Sequence, residues 1–214
     1  MDGTLYEKSS ELKADIASRA KAHKYLKSKG ILQRMAKGEI REIDKKMERG
    51  SVSMSLRAIS RKYRIDLKDF EGYVYNLNPR EFGIRRDPIL IKLLSVISKR
   101  YVLAVFSNGH DTWVEKTLKV LGVRKMIKSS MIVSPMHLKG YLKPEVGAFR
   151  ILLKRTCLKP NEILLLDDNP KNIKRGSEMG MATALVVNKG RNKRNSIHSI
   201  LRRIKYDFES KNTV

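Results

Sequence analysis

The stretch "EILLLDDN", residues 162–169, constrains the fold more than any other in the chain. Its apolar run, Ile163–Leu166, is too short for a helix of its own and ends abruptly in two carboxylates. A strand that is apolar on every side must be covered on both faces, the usual state of a parallel sheet flanked by helices. The same texture recurs at Tyr101–Phe106, at Met131–Ser134 and at Ala182–Val187. Helical patterns fall between these runs: Ile89–Ser98, Thr112–Leu121, a stretch from Lys143-Pro144 to Thr156, and Pro170–Met179. Strands alternating with helices imply an open α/β domain. A last segment, Ser196–Tyr206, carries Ile197, Ile200, Leu201 and Ile204 on one helical face and is expected to pack on the core.

The first part of the chain has a different texture. From Glu7 to about Pro88 it reads as helix without strand signals. Leu12, Ile16, Ala20, His23 and Leu26 recur at helical spacing, and Gly30 stands where that helix would stop. Further helices are expected over Ile40–Arg49, Met54–Tyr63 and Leu67–Tyr75, separated by Gly50 and Asp66. The expected organisation is therefore a helical block over 7–88, set into an α/β core of residues 1–6 and 89–214.

Composition narrows the setting. Hydrophobic residues make up 41% of the 214, enough to bury a core. No apolar run approaches bilayer length, and the residues after Met1 lack a secretory pattern. The single Cys157 excludes an internal disulfide and a four-cysteine zinc site, and it is expected in the core. A cytoplasmic protein follows, with a nuclear location left open and no membrane partner. Lys and Arg number 46 against 22 Asp and Glu, a formal charge of +24, which favours anionic partners or simply a solvated basic surface.

In an open α/β domain, ligands sit beyond the carboxyl ends of the strands. Three polar clusters fall there: Asp2-Gly3-Thr4, Ser107-Asn108-Gly109, and Asp167-Asp168 with Asn172 beyond them. Lys143 precedes Pro144 between the second and third. Singly, each has an ordinary explanation: a helix cap, a turn, a surface lysine. Together they suit phosphate and a hard cation. Adjacent carboxylates with a nearby amide oxygen match Mg2+, and a hydroxyl followed by backbone N–H groups can hold phosphate oxygens.

In their order, these motifs resemble the haloacid dehalogenase superfamily, and within it the pyrimidine 5′-nucleotidase-like branch. "MDGTLY" is similar to the first motif from its second position. "VLAVFSNGH" resembles the second, "GYLKPEVGAF" the lysine motif, and "ILLLDDNPKNIKRGSEMGMATALVV" the acidic one. "LNPREFGIRRDPILIKLL" resembles the return from a cap, so the helical block would be that cap. Ser-Asn-Gly departs mildly from the Thr-Asn-Ala more usual in this branch.

The resemblance implies a Rossmann-like parallel sheet and Mg2+-dependent hydrolysis of a phosphate monoester through an aspartyl-phosphate. A nucleoside monophosphate would be the substrate. Asp2 would be the general acid/base and lend its backbone carbonyl to Mg2+. Asp168 would ligate the metal directly and Asp167 through water, with Asn172 supporting them. Ser107, the Asn108 backbone, Thr4 and Lys143 would hold the phosphoryl group.

The family nucleophile stands two positions before the acid/base aspartate, a place that lies outside these 214 residues. The resemblance thus implies a chain begun inside its first motif, without the central strand and inactive as given. Three sources stay open: a misassigned start, a decayed paralogue, or a shortened phosphate-binding module. The competing function is an inactive basic protein that binds nucleic acid or a phosphorylated ligand. His110 could face substrate, whereas His23, His137 and His198 lack zinc-site spacing, and Trp113 is expected to serve packing.

Overall fold

A computed structural model describes residues 1–49, 52–188 and 195–210. The first four helices are α1 (Lys8–Ser28), α2 (Lys37–Arg49), α3 (Val52–Tyr63) and α4 (Leu67–Val74). Gly50, the expected break between two of them, lies outside the described residues. These helices have a core of their own, in which Tyr25, Leu26, Leu56, Ile59, Phe70 and Val74 are buried together. The Tyr25 and Phe70 rings stack there with centroids 4.7 Å apart. Asp66 starts α4 as its N-cap, accepting from the Asp69 N–H at 2.7 Å.

The buried face of α1 differs from the expected one. Leu26 is buried as that stripe requires, but Leu12 and Ile16 are 52% and 57% exposed and Ala20 is exposed, while Ser10, Ala14, Ser18, Ala22 and Tyr25 are buried. Small side chains let α1 approach its neighbours closely, and that close approach decides which stripe turns inward.

The α/β part follows: α5 (Pro88–Ile97), β1 (Val105–Phe106), α6 (Asp111–Leu121), β2 (Ile132–Val133), α7 (Val146–Thr156), β3 (Leu164–Asp167), α8 (Pro170–Glu178), β4 (Ala182–Leu185) and α9 (Ile197–Ser210). Pro88 opens α5 behind the Asp87 cap, whose Oδ1 accepts from the Leu90 N–H at 2.9 Å. The other oxygen of Asp87 meets His198 Nε2 at 2.8 Å, which ties α9 to the start of α5. Ile197, Ile200 and Leu201 of α9 share a core with Leu90, Leu93, Leu94 and Ile97, as expected of that apolar face.

All strand pairs among the described residues are parallel. β1 pairs with β2 and β3 with β4, which makes two two-stranded sheets. β1 and β3, the strands that end in polar clusters, do not pair with each other. The six-residue strand expected over Tyr101–Phe106 shrinks to its last two residues, and Tyr101 and Val102 are 52% and 65% exposed. The reason is the short ladder that β2 offers: Ile132 and Val133 match Val105 and Phe106, and Ser129–Met131 are already turning.

Cys157 also departs from expectation. It is exposed in the left-handed conformation that ends α7, with φ of 55°, instead of packing in the core.

Phe149 of α7 is fully buried and meets Phe106 edge-on at 5.2 Å, directly beneath the loop that carries Ser107. Phe149→Ala is expected to cost about 3–5 kcal/mol of stability. Urea unfolding, read from the shift in midpoint at constant slope, measures it.

Candidate functional site

The polar clusters converge because the strand ends deliver them to one place. Ser107 continues the ladder beyond β1, its N–H donating to the Val133 carbonyl at 2.9 Å. Its side chain, almost fully buried, donates to Asp2 Oδ2 at 2.9 Å and accepts from the Gly109 N–H at 2.9 Å. Trp113 Nε1 donates to Asp2 Oδ1 at 3.2 Å, and the Tyr6 hydroxyl donates to the same oxygen. Asp2 is therefore held by three donors, from the turn after β1, from α6 and from its own loop. Burial and the neighbouring Asp2 carboxylate push the Tyr6 phenol well above its ordinary pKa, which keeps it a donor.

Lys143 occupies the centre. Its Nζ donates to Asp167 Oδ2 at 2.6 Å and to the Phe106 carbonyl at 2.9 Å. The Asn108 side chain clasps the Lys143 backbone in both directions: Nδ2 donates to its carbonyl at 3.1 Å, and Oδ1 accepts from its N–H at 3.0 Å. Burial alone would raise the Asp167 carboxyl. The Lys143 ammonium, the terminal ammonium of Met1, and hydrogen bonds from Lys143 and the Asn169 N–H outweigh burial and hold it below the ordinary carboxylate value. The Asn169 N–H donates to Oδ1 at 2.9 Å, and Asn172 Nδ2 donates to the same oxygen at 2.8 Å.

Asp168 turns toward the first loop. Thr4 Oγ1 donates to its Oδ1 at 3.1 Å and Lys8 Nζ to its Oδ2 at 3.2 Å. Gly3 makes this possible: its φ is +67°, and a Cβ there would stand 2.3 Å from Asp168 Oδ2. Asn188, beyond β4, donates to the carbonyls of Gly3 and Thr4 at 2.9 and 2.8 Å, fastening that loop.

A cavity of about 330 Å³ opens beside these groups, lined by Asp2, Asn108, Gly109, Lys143 and Asn169. Glu11, Asp15 and Ser18 of α1 also line it, together with Tyr75, His110 and Trp113. Ser107 connects to the cavity through Asp2, and Asp167 and Asn172 through Lys143, while Thr4 reaches it by donating to the Asp2 carbonyl at 3.5 Å and brings Asp168 with it. His110 does reach it, stacked on Tyr75 at 4.1 Å. A second cavity of equal volume is lined by Tyr6, Gly83, Arg86 and Leu121, and Lys143 is not among its walls.

The eight residues expected from the motifs fall into two hydrogen-bonded groups: Lys143 with Asn108, Asp167 and Asn172, and Asp2 with Ser107 and with Thr4, which reaches Asp168. Four others were not legible as site residues: Tyr6, Lys8, Trp113 and Asn188. Trp113 packs edge-on against Phe82 at 5.8 Å, as expected, and also donates to Asp2. Asn188 follows a strand end, the only hint the sequence holds for it.

The model of the haloacid dehalogenase-like hydrolases matches residues 1–186. This chain belongs to that family. Its α/β core with a helix-rich first part is the family's architecture. Curated relatives are similar over a short stretch only. Bifunctional epoxide hydrolase 2 of Mus musculus is 45% identical over 49 residues, which is 23% of this chain and 9% of that protein. Its Rattus norvegicus counterpart is 43% identical over 47 residues, 22% of this chain and 8% of that protein. The chain therefore matches less than a tenth of their length. Among solved structures, the L-2-haloacid dehalogenase PA0810 is similar at 17% identity and a TM-score of 0.48, over 72% of this chain and 70% of that one. A dehalogenase in an intermediate complex is similar at 18% identity and a TM-score of 0.47, over 86% and 75%.

Whether this family member can hold Mg2+ depends on its oxygens. Among the described residues, no three acidic, histidine or cysteine side chains group as a metal site. Asp168 faces Lys8 and Thr4, while Asp167 faces Lys143. The set implied by the motifs is sparser: one direct carboxylate, a second through water, and the Asp2 carbonyl. Mg2+ is commonly bound this way, keeping several waters. Asn172 Oδ1, a buried acceptor without a partner beside Asp167, adds to the hard-oxygen character of the place. The donor chemistry fits.

Glu11 is the most perturbed acid in the cavity. Burial first, then the Asp2, Asp15 and Asp168 charges, raise it to about 7, with Lys8 opposing. A carboxyl raised on folding binds its proton more tightly in the folded state, so its contribution to stability is full below the ordinary value and lost as pH rises to about 7. Glu11→Gln is therefore expected to stabilise the metal-free protein at pH 8, by roughly 2–3 kcal/mol, and to do little at pH 4. Thermal melts of both proteins across that range provide the comparison.

Gly3→Ala is expected to loosen the Thr4–Asp168 contact and lower stability by roughly 1–3 kcal/mol, through the strained φ and the clash. Chemical denaturation measures the loss, and the equivalent change at Gly38, where a Cβ meets nothing, is the control.

Proposed function

We propose that this hydrolase is a Mg2+-dependent phosphomonoesterase of the pyrimidine 5′-nucleotidase-like branch, acting on nucleoside monophosphates. The observation that carries the reading is the pairing of Asp2 with Ser107, next to Lys143, at the mouth of one cavity. A phosphoryl group there meets a hydroxyl donor, an ammonium and a carboxyl placed to protonate a leaving alkoxide. Lys143 neutralises the arriving phosphate, while Asn108 and Asp167 keep its ammonium in place. Asp2 gives its proton to the departing oxygen and takes one from water in the second half of the reaction. When bound, Mg2+ offsets charge on the phosphoryl oxygens.

The carboxylate that would form the aspartyl-phosphate belongs two residues before Asp2, outside the 214 residues. In this reading the helical block of residues 7–88 serves as the cap over the site, and the protein works in the cytoplasm. Among the described residues, no helix is long and apolar enough to cross a membrane.

Phosphate release from a panel of nucleoside monophosphates with Mg2+ tests the reading. The 214-residue chain is expected to bind inorganic phosphate without turnover. A chain extended upstream by an apolar strand ending in Asp-Met-Asp is expected to release phosphate, and Asp2→Asn within it to lower kcat by about 10²–10⁴-fold. Chloride release from a 2-haloacid by the extended chain would overturn the proposal. So would salt-sensitive RNA binding with no affinity for phosphate, the mark of a nucleic-acid-binding protein.

A further inference from the structure

Both carboxylates that the motifs give to the metal are engaged by other donors. Asp167 gives Oδ2 to Lys143 and Oδ1 to the Asn169 N–H and the Asn172 amide. Asp168 gives Oδ1 to the Thr4 hydroxyl and Oδ2 to Lys8. The two ammonium ties differ in kind. Lys143 and Asp167 are almost completely buried, and Lys143 also bonds the Phe106 carbonyl, so that pair holds two strand ends together. Lys8 is half exposed, and among the described residues Asp168 is its one hydrogen-bond partner, at 3.2 Å. An ammonium so placed gives up a carboxylate for water at little cost, whereas a buried one does not.

The carboxylate itself has little freedom to turn elsewhere. Asp168 is pressed against Gly3, with Oδ2 only 2.3 Å from where a Cβ would stand, and Thr4 fixes its other oxygen. A hard cation ligated by Asp168 must therefore share the place with whatever else is bonded there. Thr4 is neutral and tolerates a neighbouring cation. The Lys8 ammonium does not, because Mg2+ approaches an oxygen to about 2 Å and the two charges would stand a few ångströms apart.

We infer that Lys8 competes with Mg2+ for Asp168 and leaves that carboxylate when the ion is bound. Lys8 thereby sets the affinity of the site for its metal, a role none of the motifs assigns. The inference rests on the Mg2+ reading and deepens it. Lys8 is also the first residue of α1, whose Glu11 and Asp15 line the cavity, so the same exchange unties the start of that helix from the loop after β3.

Electron paramagnetic resonance, which counts free Mn2+, tests the inference on the 214-residue chain without turnover. Mn2+ shares the preference of Mg2+ for oxygen ligands, and added Mg2+ reports its own affinity by displacing it. Lys8→Met is expected to bind both ions about fivefold tighter, the size of a half-exposed ion pair no longer broken on binding. Lys8→Gln is expected to match it, and Lys8→Arg, which keeps the charge, to bind no tighter than the unaltered chain. Lys27→Met, in the last turn of α1 and roughly 28 Å from Lys8 by helical rise, is expected to change nothing at physiological salt. A second readout follows Lys8 itself. In carbon spectra of lysine-labelled protein, its Cε signal, assigned by its loss in Lys8→Met, is expected to move with Mg2+ to the position of solvent-exposed lysines.

Equal or weaker metal binding by Lys8→Met would overturn the inference while leaving the Mg2+ reading intact. An equal gain in Lys27→Met would overturn it too, as an effect of total charge, and so would a Lys8 signal that stays in place when Mg2+ is bound. Failure of both ions to bind either the unaltered chain or Lys8→Met would instead remove the Mg2+ reading and this inference with it.

Discussion

The ion pair between Lys143 and Asp167 is the interaction on which the rest of the structure depends. The two sheets meet through no shared ladder, yet the Lys143 ammonium bonds the carbonyl that ends β1 and the carboxylate that ends β3. Both side chains are almost completely buried, where an ion pair is sustained only if its remaining hydrogen-bonding capacity is met. Asn172 and the Asn169 N–H meet that of Asp167, and the Asn108 amide holds the backbone of Lys143. Fold and site consequently share this ion pair. The groups that would handle a phosphate are also the groups that hold the strand ends together.

Charge is distributed against the average. A chain of formal charge +24 places several carboxyls around its cavity: Asp2, Glu11 and Asp15 line it, and Asp167 and Asp168 stand behind. The basic excess draws anions toward the molecule as a whole, a long-range effect that salt weakens. Within the cavity, short-range pairing decides. Lys143 and Lys8 offset the carboxylates at the strand ends, while Glu11 retains a buried oxygen without a donor.

Ser107, Asn108, Asp167 and Asp168 were legible because they sit at the end of an apolar run, and strand ends in parallel sheets point to one side of the domain, whereas Asp2, Thr4 and Lys143 were legible through the order of the motifs. Strand lengths were not, because a strand extends only as far as its neighbour's ladder. Tyr101–Phe106 reads as six residues of strand, but β2 supplies two partners. The inward face of α1 was misread for a related reason. Leu12 and Ile16 obey helical spacing, yet the stripe of Ala and Ser is the one that permits close approach. Trp113 and Asn188 carry little local signal as site residues, since what they do is set by partners 111 positions away for Trp113 and 184 and 185 for Asn188, and Tyr6 meets Asp2, four residues before it, only through the turn of the first loop.

The sequence by itself determined the class of fold, the order of the polar clusters and the residue types whose chemistry suits phosphate and a hard cation. These follow from local rules: apolar runs, turn chemistry and side-chain donors. Only the tertiary structure decided that Asp2 is held by Tyr6, Ser107 and Trp113, that Lys143 bridges two sheets, and that α1 turns Glu11, Asp15 and Ser18 toward the same cavity. Those are distances between residues far apart in the chain. They depend on how closely helices and strands pack, a property of the folded whole that no local stretch encodes.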